Sequence, residues 1–358
     1  MRWIAIAIAV LAIAAAVLFG VGYFLLPASL TVKEEVEIAR PRAAVYALVD
    51  NLKTFNEWSP WFAVDPQAEY KFEGESSAGQ KATWVSKGGR IGSGSQRITR
   101  SVANSRVETL LDFGVRGSAK TIYELERAPV GSTVTWSFIS DCSGNPMYVG
   151  CRYLNLFTQG AIRQDLVAGL QRLKALAEQL PTTDFERLAP EYVQPTAMNY
   201  AFVENDVTRD EPPADAIPVS AGGPDLEAAY AQRVQAATAE SFSVVEAKIT
   251  EAGAAIAGPR VMVTVSADEA RIVFRAGYPF TGPAPANDPR VSTGQTPAGR
   301  ALKFVHTGSS SAMGATYQMI GAWLEAHRIE SSGQPWEVYV QPSGDLAQRR
   351  TEIFIPIH

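Results

Sequence analysis

The chain has 358 residues, a length that accommodates about two or three domains. Hydrophobic residues make up 46% and charged residues 19%, the balance of folded domains rather than of a disordered chain. The net charge of −5 argues against a nucleic-acid partner, and 2 Cys with 3 His give no material for zinc modules, iron–sulfur clusters or a dense disulfide framework, so no metal and no cofactor is expected.

Trp3 to Leu26 is an uninterrupted run of 24 residues without a charge. As a helix it spans roughly 36 Å, enough for a hydrocarbon core of ~30 Å. Trp3 and Tyr23 stand near its ends, where amphipathic rings favour the interface, and Pro27 stops it. A cleaved signal peptide is the competing reading. Its apolar core is usually about 7–15 residues long, and Leu26-Pro27-Ala28 is a poor cleavage site. Residues 1–30 therefore read as a single-pass transmembrane anchor. Arg2 lies on one side and Lys33, Arg40 and Arg42 on the other, so positive charges do not decide its orientation. Cys142 and Cys151, in DCSGNPMYVGC, flank a turn expected at Gly144, Asn145 and Pro146. Read as a disulfide, they place the soluble part on the extracytoplasmic side. The alternative is two unrelated buried thiols in a cytosolic protein.

Residues 31–180 read as one unit. A strand at Thr31–Ile38 is followed by a short helix at Arg42–Leu52 and a loop bearing Trp58, Pro60, Trp61 and Phe62. Strand-like segments follow at Glu69–Phe72, Lys81–Ser86, Gly94–Ser101, Arg106–Phe113, Ala119–Arg127 and Ser132–Ile139, spaced as in an antiparallel sheet. After Gly160 a long helix runs to about Gln179, with Ile162, Leu166, Leu170, Leu173 and Leu176 on one face. A sheet under one covering helix is an α+β layout that leaves room for an apolar cavity. For Trp58 and Trp61, lining that cavity and plain core packing are equally open.

In RPRAAVYALVDNLKTFNEWSPW, GSGSQRITR, STVTWSF and GLQRLKALAE the sequence resembles the SRPBCC superfamily, nearest to its polyketide cyclase/dehydrase-like, START-related members. The resemblance implies a helix-grip fold: a curved antiparallel sheet wrapped on a C-terminal helix around a hydrophobic pocket for lipids, hormones or polyketides. It supplies no catalytic residue.

Residues 181–195 read as a linker with Pro190 and Pro195, and 196–358 as a second domain whose element order occurs twice. The first half has a strand at Ala197–Asn205, a loop carrying Pro212, Pro213, Pro218 and Pro224, a helix at Asp225–Lys248, and strands at Arg260–Val265 and Glu269–Ala276. The second has a strand at Arg300–His306, a helix at Ser311–His327, and strands at Trp336–Val340 and Arg350–Pro356. Pro259 and Pro279 are 20 residues apart, Pro335 and Pro356 21, as a duplication would leave them. PAGRALKFVHTG, SAMGATYQMIGAWLEAHR, QPWEVYV and TEIFIPI are similar to the GyrI-like effector-binding domain, the ligand-binding half of some AraC- and MerR-type activators. The resemblance implies two βαββ halves facing each other across a cleft, with the glutamate matching Glu337 helping to bind cationic or aromatic compounds. Gly308 is followed by serines where the family often has tyrosine, so that wall of the cleft is expected to be more open.

Strand alternation puts Trp336, Val338 and Val340 on one face and Glu337 with Tyr339 on the other. An acid beside an aromatic ring attracts a cation by charge and by the ring's negative face. Glu337 and Tyr339 are therefore the candidate ligand-binding residues. Trp323, on the preceding helix, is read either as a third wall or as core. Val261 and Val263 are the counterparts expected in the first half. GGRIGSGS has spaced glycines but no Lys-Ser/Thr pair, and reads as strand turns. His306, His327 and His358 are too dispersed for a metal site. These readings imply a membrane-anchored small-molecule-binding protein that senses or sequesters its ligands. The alternative is a hydrolase acting on a reactive small molecule, with Glu337 as general base.

Overall fold

The apolar N-terminal run forms one helix, α1 (Arg2–Phe24), in the computed structural model of the chain. Its Ile6–Phe24 segment has a mean hydropathy of 2.5 and is exposed along nearly its whole length. By length and composition it fits a membrane span or a signal sequence. The structure describes residues 2–88, 91–114, 117–143, 149–209, 226–285, 288–341 and 346–358. The turn expected at Gly144–Pro146 and the loop with Pro212, Pro213, Pro218 and Pro224 lie outside them. Two units follow from the packing, Met1–Glu186 and Arg187–His358.

Unit 1 continues with β1 (Ser29–Ile38), α2 (Arg42–Val49), α3 (Leu52–Trp58), α4 (Pro60–Val64), β2 (Glu69–Glu73), β3 (Lys81–Val85), β4 (Ser93–Val102), β5 (Arg106–Asp112), β6 (Ser118–Arg127), β7 (Ser132–Asp141) and α5 (Gly150–Ala177). The strands form one antiparallel sheet in the order β1-β7-β6-β5-β4-β3-β2. Leu166, Leu170 and Leu173 of α5 are buried. Each contributes about 1.5–3 kcal/mol of transfer free energy. Gly169 lets the helix press close, since a Cβ there would come within 2.6 Å of the Trp136 ring.

Two expectations change here. The loop after α2 is two short helices, because the Asn51 side chain accepts from the Lys53 N–H and the Ser59 side chain from the Phe62 N–H, with Pro60 opening α4. The long helix begins ten residues before Gly160. The CRYLNLFTQ segment extends it, and a mid-helix glycine costs only about 1 kcal/mol. Within GGRIGSGS, Gly94 stands opposite Trp84, and a Cβ at Gly94 would strike the indole at 2.6 Å. That glycine serves packing.

Unit 2 comprises β8 (Glu191–Val193), β9 (Asn199–Thr208), α6 (Leu226–Glu251), β10 (Ala255–Ile256), β11 (Arg260–Ala267), β12 (Arg271–Thr281), β13 (Val291–Gln295), β14 (Ala301–Thr307), α7 (Met313–Ala326), β15 (Trp336–Gln341) and β16 (Arg350–Pro356). The main sheet runs β13-β9-β12-β11-β15-β16-β14-β8. Strand–helix–strand–strand occurs twice, and in each set the first strand pairs with the third. The two sets meet where β11 pairs antiparallel with β15. The boundary between the two units falls within residues 181–195. Glu186 is held by Arg42 and Arg127 of unit 1, Phe185 is buried, and β8 extends the unit 2 sheet along β14.

Candidate functional site

Unit 1 encloses a cavity of about 450 Å³ between its sheet and the helices α3, α4 and α5. Its walls are mainly apolar and aromatic, with Phe55, Trp61, Trp84, Leu111, Phe138 and Ile162 among them. Gln96 and Asp165 are polar exceptions. The Gln96 amide donates to Thr109 Oγ1 at 3.0 Å, and Trp61 Nε1 donates to Asp165 Oδ2 at 3.1 Å. Burial pushes the Asp165 carboxyl up, and the Trp61 hydrogen bond draws it partly back. The two tryptophans left open by the sequence part company. Trp61 lines the cavity. Trp58 is fully buried in a cluster with Phe55, Tyr123 and Trp136.

In unit 2, β15 alternates as its sequence predicts. Trp336 and Val338 pack on one face with Val261 and Phe354, and Tyr339 packs on the other with the cluster around Phe242 and Met262. Glu337 is 4% exposed. Its Oε1 accepts from the Tyr317 hydroxyl at 2.9 Å and its Oε2 from the Tyr339 hydroxyl at 2.8 Å. Burial drives the carboxyl upward, while the two hydroxyls and nearby His306 favour the charged form. Both phenols are pushed up, first by their own burial and then by the carboxylate beside them. Among the described residues no Lys or Arg pairs with Glu337.

Three features of this geometry bear on the sequence reading. Each carboxylate oxygen already accepts from a tyrosine hydroxyl. Trp323 is not brought to Glu337. Six residues beyond Tyr317, about 9 Å along α7, Trp323 stacks on His327 at 3.8 Å and meets the Phe304 edge at 5.5 Å. The neighbour opposite Glu337 in the first half is Met262, since Val261 and Val263 lie on the Trp336 face.

Tyr317 and Asp165 are the residues sequence reasoning missed. Tyr317 lies three residues before buried Ile320 on the inner face of α7, and Asp165 lies between Ile162 and Leu166 on the apolar side of α5. A polar group at an apolar helical position was the available signal. Tyr317 also borders an open groove of about 580 Å³ with Ile320, Leu324, Pro335 and Ile355. The Cys142 and Cys151 sulfurs are joined, with their Cα atoms 5.8 Å apart. Among the described residues no three His, Cys, Asp or Glu side chains converge as a metal site would require.

An apolar cavity under a helix-gripped sheet and a buried acid at the join of two strand–helix–strand–strand sets define a small-molecule-binding protein with two domains. Residues 29–178 match the family of polyketide cyclase/dehydrase and lipid transport proteins, and residues 260–358 match the GyrI-like small molecule binding domain. Among solved structures, a protein from Chromobacterium violaceum is 15% identical, with TM-score 0.31, over 41% of this chain and 96% of its own. A Staphylococcus aureus protein of unknown function is 12% identical, with TM-score 0.35, over 42% and 94%. The C-terminal domain of EcmrR is 13% identical, with TM-score 0.36, over 48% and 98%. No curated protein matches the chain.

Proposed function

We propose that the chain is a membrane-anchored receptor or sequestering protein with two ligand modules. Unit 1 holds an apolar or lipid-like compound. Unit 2, read as a duplicated βαββ domain, holds an aromatic or cationic one. The soluble part stands on the extracytoplasmic side, where a disulfide between Cys142 and Cys151 persists. The acidic balance of the chain supports a small molecule rather than nucleic acid as partner.

The observation that carries the unit 2 reading is Glu337. It is buried, held by two tyrosine hydroxyls and paired with no Lys or Arg among the described residues. A buried carboxylate in that state gains most from a positively charged guest, and the tyrosine rings add cation–π attraction. The expected outcome is that Glu337→Gln weakens binding of an organic cation such as tetraphenylphosphonium by about tenfold or more in calorimetry. Equal affinities in the two proteins would refute the assignment. A second reading, a hydrolase of a reactive small molecule, is favoured by the raised carboxyl, since an acid displaced toward neutrality suits general-base work. Turnover lost in Glu337→Ala, in place of stoichiometric binding, would select it.

A further inference from the structure

Four segments converge at one end of the unit 1 sheet. β1 begins five residues after α1 ends, and its first residues pair with the end of β7, Ser29 opposite Asp141 and Leu30 opposite Ser140. Ser140 also stands opposite Ala119 of β6. The Cys142 N–H donates to the Ala28 carbonyl at 2.7 Å, and its sulfur is joined to Cys151 in the first turn of α5.

The same turn of α5 clasps α1. The Arg152 guanidinium donates to the carbonyls of Tyr23 at 2.6 Å, Leu26 at 3.2 Å and Gly22 at 3.3 Å, and lies 5.3 Å from the Tyr23 ring centroid. The Tyr153 hydroxyl donates to the Leu18 carbonyl at 2.7 Å. A Cβ at Gly22 would come within 2.7 Å of the Tyr153 ring, so the missing side chain admits the contact. The last carbonyls of a helix lack intrahelical partners and carry partial negative charge, and a guanidinium answers both. A leader removed after folding has no use for such a clasp.

The cavity reaches this end of the sheet. Ser118, Ala119 and Ser140 line it, and so does Leu154, one residue beyond the clasp. Leu154 is also 51% exposed, which puts it on the rim. Leu156 and Phe157 beside it are 55% and 78% exposed. Exposed Leu and Phe on adjoining turns are what an interfacial helix presents to the headgroup boundary, and Tyr23 with Arg152 makes the belt beneath it. Asp165 lies 11 residues beyond Leu154, about 16 Å along α5, and gives the cavity an acceptor distant from that rim.

We propose that the first turns of α5 lie in the headgroup layer of the bilayer crossed by α1, and that the unit 1 cavity exchanges an amphiphilic, membrane-dissolved lipid with that bilayer past Leu154. The proposal rests on reading unit 1 as a hydrophobic-ligand module with a retained anchor. The guest has an apolar body and a hydrogen-bond-donating head, hydroxyl or ammonium, that meets Asp165.

The test uses the full chain in phosphatidylcholine vesicles containing sphingosine, a single-chain lipid with a hydroxyl and ammonium head, carrying a diazirine on its chain. After irradiation, adducts are mapped by peptide mass spectrometry. Adducts are expected in the first turns of α5 and on cavity walls such as Trp84 and Phe138. Leu156→Asp combined with Phe157→Asp, at two exposed positions outside the cavity lining, is expected to lower the cavity adducts about tenfold. It leaves uptake of water-borne anilinonaphthalene sulfonate unchanged. Phe157→Ser alone gives a smaller decrease in the same direction, so the test does not depend on the double variant folding. Undiminished cavity adducts in these variants overturn the proposal, as do adducts confined to α1 in a protein whose cavity takes up the dye. A cavity that takes up neither lipid nor dye overturns instead the reading of unit 1 as a ligand module.

Discussion

Glu337 keeps its carboxyl in the interior by accepting from two phenols, and burial still favours the protonated form. An unfolded glutamate titrates near 4.3, and the folded group titrates above that. Between those two values the unfolded chain has released a proton that the folded chain retains, so stability falls as pH rises through the window. Below it both forms are protonated and the group is neutral to stability. Glu337→Gln is therefore expected to melt higher than the parent at pH 7, with the advantage gone by about pH 4. Thermal unfolding followed across that range checks it, and an advantage independent of pH would mean that the gain comes from packing. Tyr317 and Tyr339 have the complementary role. Each is partly buried and donates to the same carboxylate, so the three groups form one unit in which no member is polar without a partner.

At the scale of elements, the disulfide closes a loop of nine residues between the end of β7 and the first turn of α5. Loop-closure entropy for that length is worth about 3 kcal/mol, so Cys151→Ala is expected to lower the stability of unit 1 by roughly that amount in urea unfolding. Ellman titration of the unreduced parent checks the bond itself. Most strand positions were legible in the sequence because one face of the strand is buried and alternation then shows directly; β8, β10 and β13, which carry no fully buried residue, were not. β16 begins at Arg350 and ends at Pro356 as its pattern predicts. Helix starts were less legible. α3 and α4 depend on single capping side chains at Asn51 and Ser59, and α5 starts in CRYLNLFTQ, ahead of the apolar stripe that periodicity registers. The site was half legible for a similar reason. Glu337 and Tyr339 are two apart on one strand, so period two places them together. Tyr317 comes from a helix 20 residues earlier, and only the packing of α7 on the sheet brings it to the acid.

For the molecule as a whole, the proposed anchoring rests on α1. The clasp of Arg152 and Tyr153 on its last turns argues that it stays attached. The expected outcome is that protein isolated from its own host is found in the membrane fraction with an intact mass that includes residues 1–26. A soluble species beginning near Ala28 would mean that the helix is a leader. Within unit 2, the seam of β11 with β15 is a ladder of only four residue pairs, Arg260–Val263 against Trp336–Tyr339, and Glu337 is one of its rungs. A guest on this acid, as proposed, would act on the strip of backbone that knits the two strand–helix–strand–strand sets into a single sheet. On that proposal, occupancy would be felt on both sides of the join at once.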